Sequence, residues 1–300
     1  MKIAYLILTH ANPNLLKRLI GTLSSERSAF FVHVDLKADV REFSGVSGRN
    51  VFFSDQRMPV YWAEFTQVEA TIRLMRQALD SSAGYDYFVF LQGSDYPLRC
   101  RSYIEEFLER NSDWEFISMV KMPAPGYPLS KINKLRFPSD KPIRRFASRA
   151  LAKLGFAQRD YRRYLGGLEP YAGDACWALS RNACVYILEF AGCNPQVARY
   201  FRYTFSPDEM FFHTILGNSS LHPRARRSLL YRDWPIPGAH PAVLNDAHVT
   251  FFEQQEKVLV KDQFGSGEAL FARKFSDDRP DLLQRIDDMI ERKEKSRTAL

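Results

Sequence analysis

Three unbroken apolar runs, each closing on polar residues, limit this chain more than any other feature. Ile3-Ala4-Tyr5-Leu6-Ile7-Leu8 closes on Thr9, Ala29-Phe30-Phe31-Val32-His33-Val34 on Asp35, and Tyr87-Phe88-Val89-Phe90-Leu91 on a polar turn ending at Asp95. Runs without alternation are strands buried on both faces, as in a parallel sheet. Between them Leu15, Leu16, Leu19, Ile20 and Leu23 recur at helical spacing. So do Phe65, Val68, Ile72, Met75 and Leu79, within a helix expected over 64–79. Val51-Phe52-Phe53 reads as a short third strand. Strand and helix in alternation predict an α/β layer of the nucleotide-binding kind, whose ligands sit outside the strands' carboxyl ends. Thr9, Asp35 and Asp95 are therefore expected on one rim.

The rest of the chain adds to this layer. A helix over 102–109 precedes a strand over 115–120, and a strand over 172–180 precedes a helix over 181–190. Residues 229–235 form a short strand with an aromatic, polar end, Gly265-Ser266-Gly267 a flexible hinge, and 270–275 a short structured segment. From about 121 to 170 the strand signal disappears. Ile143, Phe146, Ala147, Ala150, Leu151 and Leu154 form a helical stripe there, flanked between Lys141 and Arg163 by eight basic residues and one acid, Asp160. Such a helix either meets a membrane surface or an anionic acceptor, or packs its stripe inward with the charges in water. The tail over 281–295 is amphipathic on Leu282, Leu283, Ile286, Met289 and Ile290. With no repeat and no long linker, 1–278 reads as one domain with a basic insertion at about 121–170, and 279–300 as a C-terminal helix.

Apolar residues at 45% are enough for a substantial core, which excludes disorder as the main state. A net charge of +7 is too mild to mark a nucleic-acid binder but favours an anionic partner, such as a nucleotide diphosphate or an acidic membrane surface. Four cysteines without metal-ligand spacing read as reduced core thiols. No apolar run spans a bilayer and no secretory leader is read, which predicts a soluble cytoplasmic protein or one peripheral to the inner face of the membrane.

Phosphate loops, dinucleotide fingerprints, zinc motifs and nucleophile elbows are missing from the sequence. So is Asp-x-Asp, the pair that holds a divalent metal on the diphosphate in many nucleotide-sugar transferases. No metal or other cofactor is expected, and a transferase here must neutralise its leaving group otherwise. Residues 203–216 read as a helix start. Ser206 stands at the N-cap, Pro207 at the first helical position and Glu209 where it completes a capping box. Asp208 and Glu209 either serve that cap or act as catalytic carboxylates. Arg273 and Lys274 are either a solvated basic pair or two fixed cations aimed at phosphate oxygens.

Taken together and in order, Leu91-Gln92-Gly93-Ser94-Asp95-Tyr96-Pro97, Ser206-Pro207-Asp208-Glu209-Met210-Phe211-Phe212-His213-Thr214 and Phe271-Ala272-Arg273-Lys274-Phe275 resemble the core-2/I-branching family of glycosyltransferases. The wording is closest to its peptide O-xylosyltransferase branch. The resemblance implies a GT-A-like single domain with a Rossmann-like, mostly parallel central sheet. It implies Glu209 as the catalytic base, with Asp208 as runner-up, and Lys274 with Arg273 on the UDP diphosphate in place of metal. Asp35 would contact the uridine near Thr9, Tyr61 or Trp62 would wall the nucleotide, and Ser94 and Asp95 would occupy the turn where a metal motif usually lies and, with Asp208, would meet the donor or acceptor sugar. Tyr231, Asp233 and Trp234 resemble an acceptor-side strand, with aromatic faces suited to sugar stacking.

The function this implies is inverting, metal-independent transfer of xylose or N-acetylglucosamine from a UDP-sugar to a hydroxyl of a glycan or lipid-linked glycan, giving a β-linkage. The implied setting is bacterial surface polysaccharide or lipopolysaccharide synthesis. Two other readings stay open: a catalytically silent glycan-binding protein on the same fold, and a metal-dependent transferase using Asp95.

Overall fold

The computed structural model describes residues 1–138, 158–234 and 241–298. Its main sheet grows outward from the apolar runs. β1 (Ile3–Thr9) has β2 (Ser28–Val34) on one side, with β3 (Val51–Phe53) beyond it, and β4 (Tyr87–Gln92) on the other, all parallel. Every residue of β1 and β2 is buried, as strands without alternation require. The helix Pro13–Leu23 buries Leu15, Leu16, Leu19, Ile20 and Leu23, the stripe its spacing predicts. The helix Phe65–Leu79 packs on β1 and β2 and buries Val68, Leu74 and Met75, leaving Ile72 and Leu79 only half-buried.

β5 (Asp95–Pro97) leaves this sheet, and β6 (Glu115–Phe116) returns to it. The strand expected over 115–120 breaks after Phe116, and β7 (Met119–Lys121) turns away to pair antiparallel with β8 (Tyr171–Gly173). The break falls where Ser118 approaches Gly173 so closely that a Cβ on the glycine would lie 1.6 Å from the serine carbonyl oxygen. The strand expected over 172–180 divides likewise, its second part being β9 (Trp177–Ser180).

β10 (Ala225–Arg226) completes a seven-stranded sheet in the order β10-β6-β9-β4-β1-β2-β3. β9 opposes β4 and β6, and the other strands run in one direction. The architecture is thus α/β, with a mostly parallel central sheet.

β11 (Leu230–Arg232) belongs to a small second sheet. β12 (Leu259–Asp262) and β13 (Gly265–Glu268) form a hairpin, so the expected hinge at Gly265 is a strand. Gly265, with φ 108°, supplies the positive dihedral that ends its tight turn. β14 (Phe271–Arg273) then lies between β11 and β5. The helix Pro280–Thr298 buries its predicted stripe and packs on the helix Asp246–Gln254, while its Asp287 accepts a hydrogen bond from the Tyr96 hydroxyl (2.7 Å).

The stripe from Ile143 to Leu154 lies outside the described residues. Cys100, Cys176 and Cys184 are buried thiols, but Cys193 is exposed and not part of the core. Among the described residues no helix is long and apolar enough to cross a membrane.

The end of β4 presses on β1 at Gly93, where a Cβ would meet Thr9 Oγ1 at 2.2 Å. Gly93→Ala is expected to lower stability by about 1–3 kcal/mol through overpacking, measured as a shift of the denaturant midpoint. An unchanged midpoint contradicts this close approach.

Candidate functional site

The carboxyl ends of β1, β2 and β4 open into a cleft of about 690 Å³, the position that an open α/β sheet reserves for ligands. Thr9 lines it with its hydroxyl donating to the Ala11 carbonyl (2.8 Å). Asp35 also lines it. Its Oδ1 accepts from the backbone N–H groups of Lys37 (2.9 Å) and Val60 (3.3 Å), and the Lys37 ammonium lies 3.2 Å from Oδ2. The residue is therefore both turn-former and cleft wall.

Among the described residues, the non-glycine positions with positive φ are Asn12 (60°), Ala63 (57°) and Ser206 (50°). All three line the cleft. A β-carbon in that conformation costs roughly 1–2 kcal/mol, so backbone strain gathers where the chain is shaped around a ligand.

Two buried carboxylates hold two arginines against the cleft. β14 sets Arg273 opposite Asp95 of β5, and the guanidinium grips the carboxylate twice, Nε to Oδ1 and Nη2 to Oδ2 (2.9 Å). Asp95 has no exposed surface, and its Oδ2 also accepts the N–H of Gln92 (2.9 Å). It does not share the rim with Thr9 and Asp35. With its oxygens engaged, it is neither the sugar contact nor the metal ligand weighed from sequence.

Arg232 makes a single ion-pair contact, Nη2 to Oδ1, with buried Asp174, whose Oδ2 accepts from the Ser228 hydroxyl (2.8 Å). Burial opposes the Arg273 charge, but Asp95 more than restores it. Burial pulls Arg232 down to about 10, and the charge of Arg273 adds to the fall. Lys274 lines the cleft without an ion pair to any described residue, its pKa lowered by burial and then by Arg273. Of the two expected cations, Lys274 thus brings net charge and Arg273 brings fixed hydrogen-bond donors. Ser94, also in the lining, accepts the Phe275 N–H on its carbonyl (2.9 Å) and so anchors this segment to the end of β4.

The carboxylates come from a short turn. Pro207–Glu209 is a 3-10 turn, and the helix Phe211–Gly217 starts only after it. The Ser206 hydroxyl caps nothing, so the capping box expected from sequence does not form. An N-cap needs an extended backbone to bring its oxygen under the first amides, and Ser206 is left-handed. Released from the cap, Glu209 accepts a hydrogen bond from the Lys131 ammonium at 2.9 Å and lines the cleft. Asp208 lines it too, with its Oδ1 buried and without a hydrogen-bond partner among the described residues.

Side chains alternate along β11 and just beyond it. Arg232 and Trp234 line the cleft. Tyr231 instead packs on Phe252 (ring centroids 4.9 Å apart) and Asp233 bonds His248 (3.1 Å), both on the helix Asp246–Gln254. Tyr231 and Asp233, expected on the acceptor side, therefore face away from the cleft, and the residues of opposite parity line it. Tyr61 stays outside the lining, its ring 4.1 Å from the Lys37 ammonium, whereas Trp62 lines the cleft and is 56% exposed. Lys37, Lys131 and Arg232 carry no motif that would mark them beforehand.

A family model for the core-2/I-branching enzyme matches residues 3–255. The chain belongs to the core-2/I-branching enzyme family. Xylosyltransferase 2 of Homo sapiens is 26% identical over 229 residues, 73% of this chain and 25% of that protein. The same enzyme of Rattus norvegicus is 25% identical with the same coverage. Xylosyltransferase 1 of Canis lupus familiaris is 23% identical over 228 residues, 73% of this chain and 22% of that protein. The chain thus spans about a quarter of the length of the curated relatives it matches.

In this branching-family cleft the Asp208 carboxyl is pushed up to about 7, by burial first and by the charge of Glu209 second. An ordinary Asp ionises near 4 (about 3.9). Between those values the folded protein keeps a proton that the unfolded chain has released, so stability falls as pH rises through that window. Asp208→Asn removes the effect. In paired thermal melts the variant should gain on the parent as pH rises from about 4 to about 7, and the reverse trend would mean that the fold favours the ionised form. The Arg273–Asp95 pair yields a second expectation. Arg273→Met strands a buried carboxylate and should cost about 3–5 kcal/mol, while adding Asp95→Leu should recover at least half of that in denaturant melts. Additive losses in the double variant would refute the pairing.

Proposed function

We propose that this protein moves a sugar from a UDP-linked donor to a hydroxyl of a glycan acceptor, with inversion at the anomeric carbon. One observation carries the reading: Glu209 and the pair Arg273–Lys274, distant in sequence, line the same cleft at the carboxyl ends of the sheet. The acceptor oxygen attacks the anomeric carbon while its proton passes to the Glu209 carboxylate. The bond from that carbon to the β-phosphate oxygen breaks, and its electron pair leaves on UDP. Lys274 meets the charge developing on the diphosphate, and Arg273, fixed by Asp95, offers oriented N–H donors. These cations do what a divalent ion does in Asp-x-Asp transferases, so the reaction we propose is metal-independent.

Asp35 and Thr9 suit the uridine, with Trp62 as a wall. Trp234 and Val243, both well exposed in the lining, offer an apolar face to an acceptor sugar ring. The similar proteins are named for xylosyl transfer, which makes UDP-xylose the first donor to test and UDP-N-acetylglucosamine the second. The acceptor in this reading is a glycan or lipid-linked glycan of bacterial surface polysaccharide or lipopolysaccharide. It would be met in the cytoplasm or at the inner face of the membrane.

Glu209→Gln keeps an acceptor for Lys131 but removes the base, so kcat should fall about 10²–10⁴-fold while stabilisation of the fold by UDP stays unchanged. Substantial turnover in that variant moves the base elsewhere. Turnover should also survive a chelator; loss in chelator with recovery in manganese refutes metal independence.

A further inference from the structure

One carboxyl of the cleft has no part in the reaction above. Asp208 lines the same cleft as Glu209, Arg273 and Lys274; Glu209 and Lys131 act on its charge, and its own charge is felt at Arg273 and at Cys176. Its Oδ1 is sealed from bulk water and meets no hydrogen-bond partner among the described residues. A buried polar atom left in that state costs the fold free energy. Backbone N–H groups of Asp208 and Glu209 act on the carboxyl and offset part of that cost, but Oδ1 is left without a partner among the described residues. The turn closes through backbone bonds, Glu209 N–H to the Ser206 carbonyl and Met210 N–H to the Pro207 carbonyl, without the Asp208 side chain. The residue as a whole is only half-buried and lines the cleft, so a ligand can reach the part of the side chain that stays open.

In the transferase reading, the attacked carbon must lie between the attacking oxygen at Glu209 and the departing oxygen at Lys274. The sugar ring therefore occupies the space beside Asp208. Resting on that reading, we propose that Asp208 hydrogen-bonds a hydroxyl of the donor's sugar ring and so makes the cleft distinguish a UDP-sugar from UDP. A phosphate is a poor partner for this carboxyl, because two acceptors of like charge repel. A hydroxyl both donates and accepts, so it can pair with either protonation state. Burial and the neighbouring Glu209 charge keep the neutral form present near pH 7, which adds a donor that an ordinary carboxylate lacks.

The test uses the full chain carrying Glu209→Gln, so that the donor is bound but not consumed. UDP, UDP-xylose and UDP-N-acetylglucosamine are titrated calorimetrically with and without Asp208→Ala. The ratio of the UDP dissociation constant to that of the preferred UDP-sugar should fall roughly 5- to 30-fold on Asp208→Ala, the range one buried hydrogen bond commands. The UDP constant itself should move less than about twofold. The variant should melt no lower than its parent near pH 7, since it loses a carboxyl whose Oδ1 is buried without a hydrogen-bond partner among the described residues. Asp208→Asn, which keeps the shape, is read in the same way and should retain part of the preference. Equal weakening for UDP and UDP-sugars puts Asp208 on the nucleotide and overturns the inference, as does an unchanged ratio or a large fall in melting temperature. A parent that binds no UDP-sugar overturns the transferase reading and this inference together, so the two failures are told apart.

Discussion

The buried pair of Arg273 and Asp95 is the joint on which the cleft depends. Asp95 opens β5, which follows directly from the main-sheet strand β4, and Arg273 ends β14, which also carries β11 on its other edge. One bidentate contact thus binds the floor of the main sheet to the segment that presents Lys274 and, through β11, to Arg232. Two charges withdrawn from water are costly, and their attraction offsets that cost only in good geometry with the remaining polar positions satisfied. The second oxygen of Asp95, bonded also by Gln92 N–H, meets that condition. Such a pair adds little net stability to a fold, but it defines where each partner sits.

That joint also sets the electrostatics of the site. Arg273 and Arg232 arrive answered by Asp95 and Asp174, Lys37 by Asp35, and Lys131 by Glu209. Lys274 adds a cation without an ion pair among the described residues. In the transfer proposed above, a cleft balanced in this way would hold a diphosphate during bond breaking and then release it. Arg273, buried and fixed by Asp95, is preorganised, so that little reorganisation is needed as charge develops.

Strain and unmet hydrogen bonding accompany this arrangement. The left-handed backbone at Asn12, Ala63 and Ser206, together with the orphaned oxygen of Asp208, lies in one lining. Each feature works against folding, and their clustering marks the region as shaped for something other than stability. The failed capping box belongs here too. Ser-Pro-Asp-Glu is a sound local recipe for a helix start, yet the kink at Ser206 turns it into a 3-10 turn and points Glu209 toward Lys131. Local rules give way where the site needs them to.

Much of this molecule was legible in the order of its residues. The runs after Lys2, Ser28 and Asp86 could only be strands covered on both sides, because a pleated segment without polar alternation has no face to give to water. The ligand rim at their carboxyl ends followed from that sheet, and the family wording around Glu209 and Lys274 pointed to the two walls. The parity of Tyr231 and Arg232 was not legible, because a short strand alternates identically in either register and only the arrival of the helix Asp246–Gln254 decides which side faces the cleft. Nor was the fate of Asp95 or the company of Glu209. Which carboxylate is locked and which is available depends on ion pairs to Arg273 and Lys131, groups that meet them only once distant segments have packed. Burial pattern is carried by neighbours along the chain, whereas the state of a charge is settled by neighbours in space.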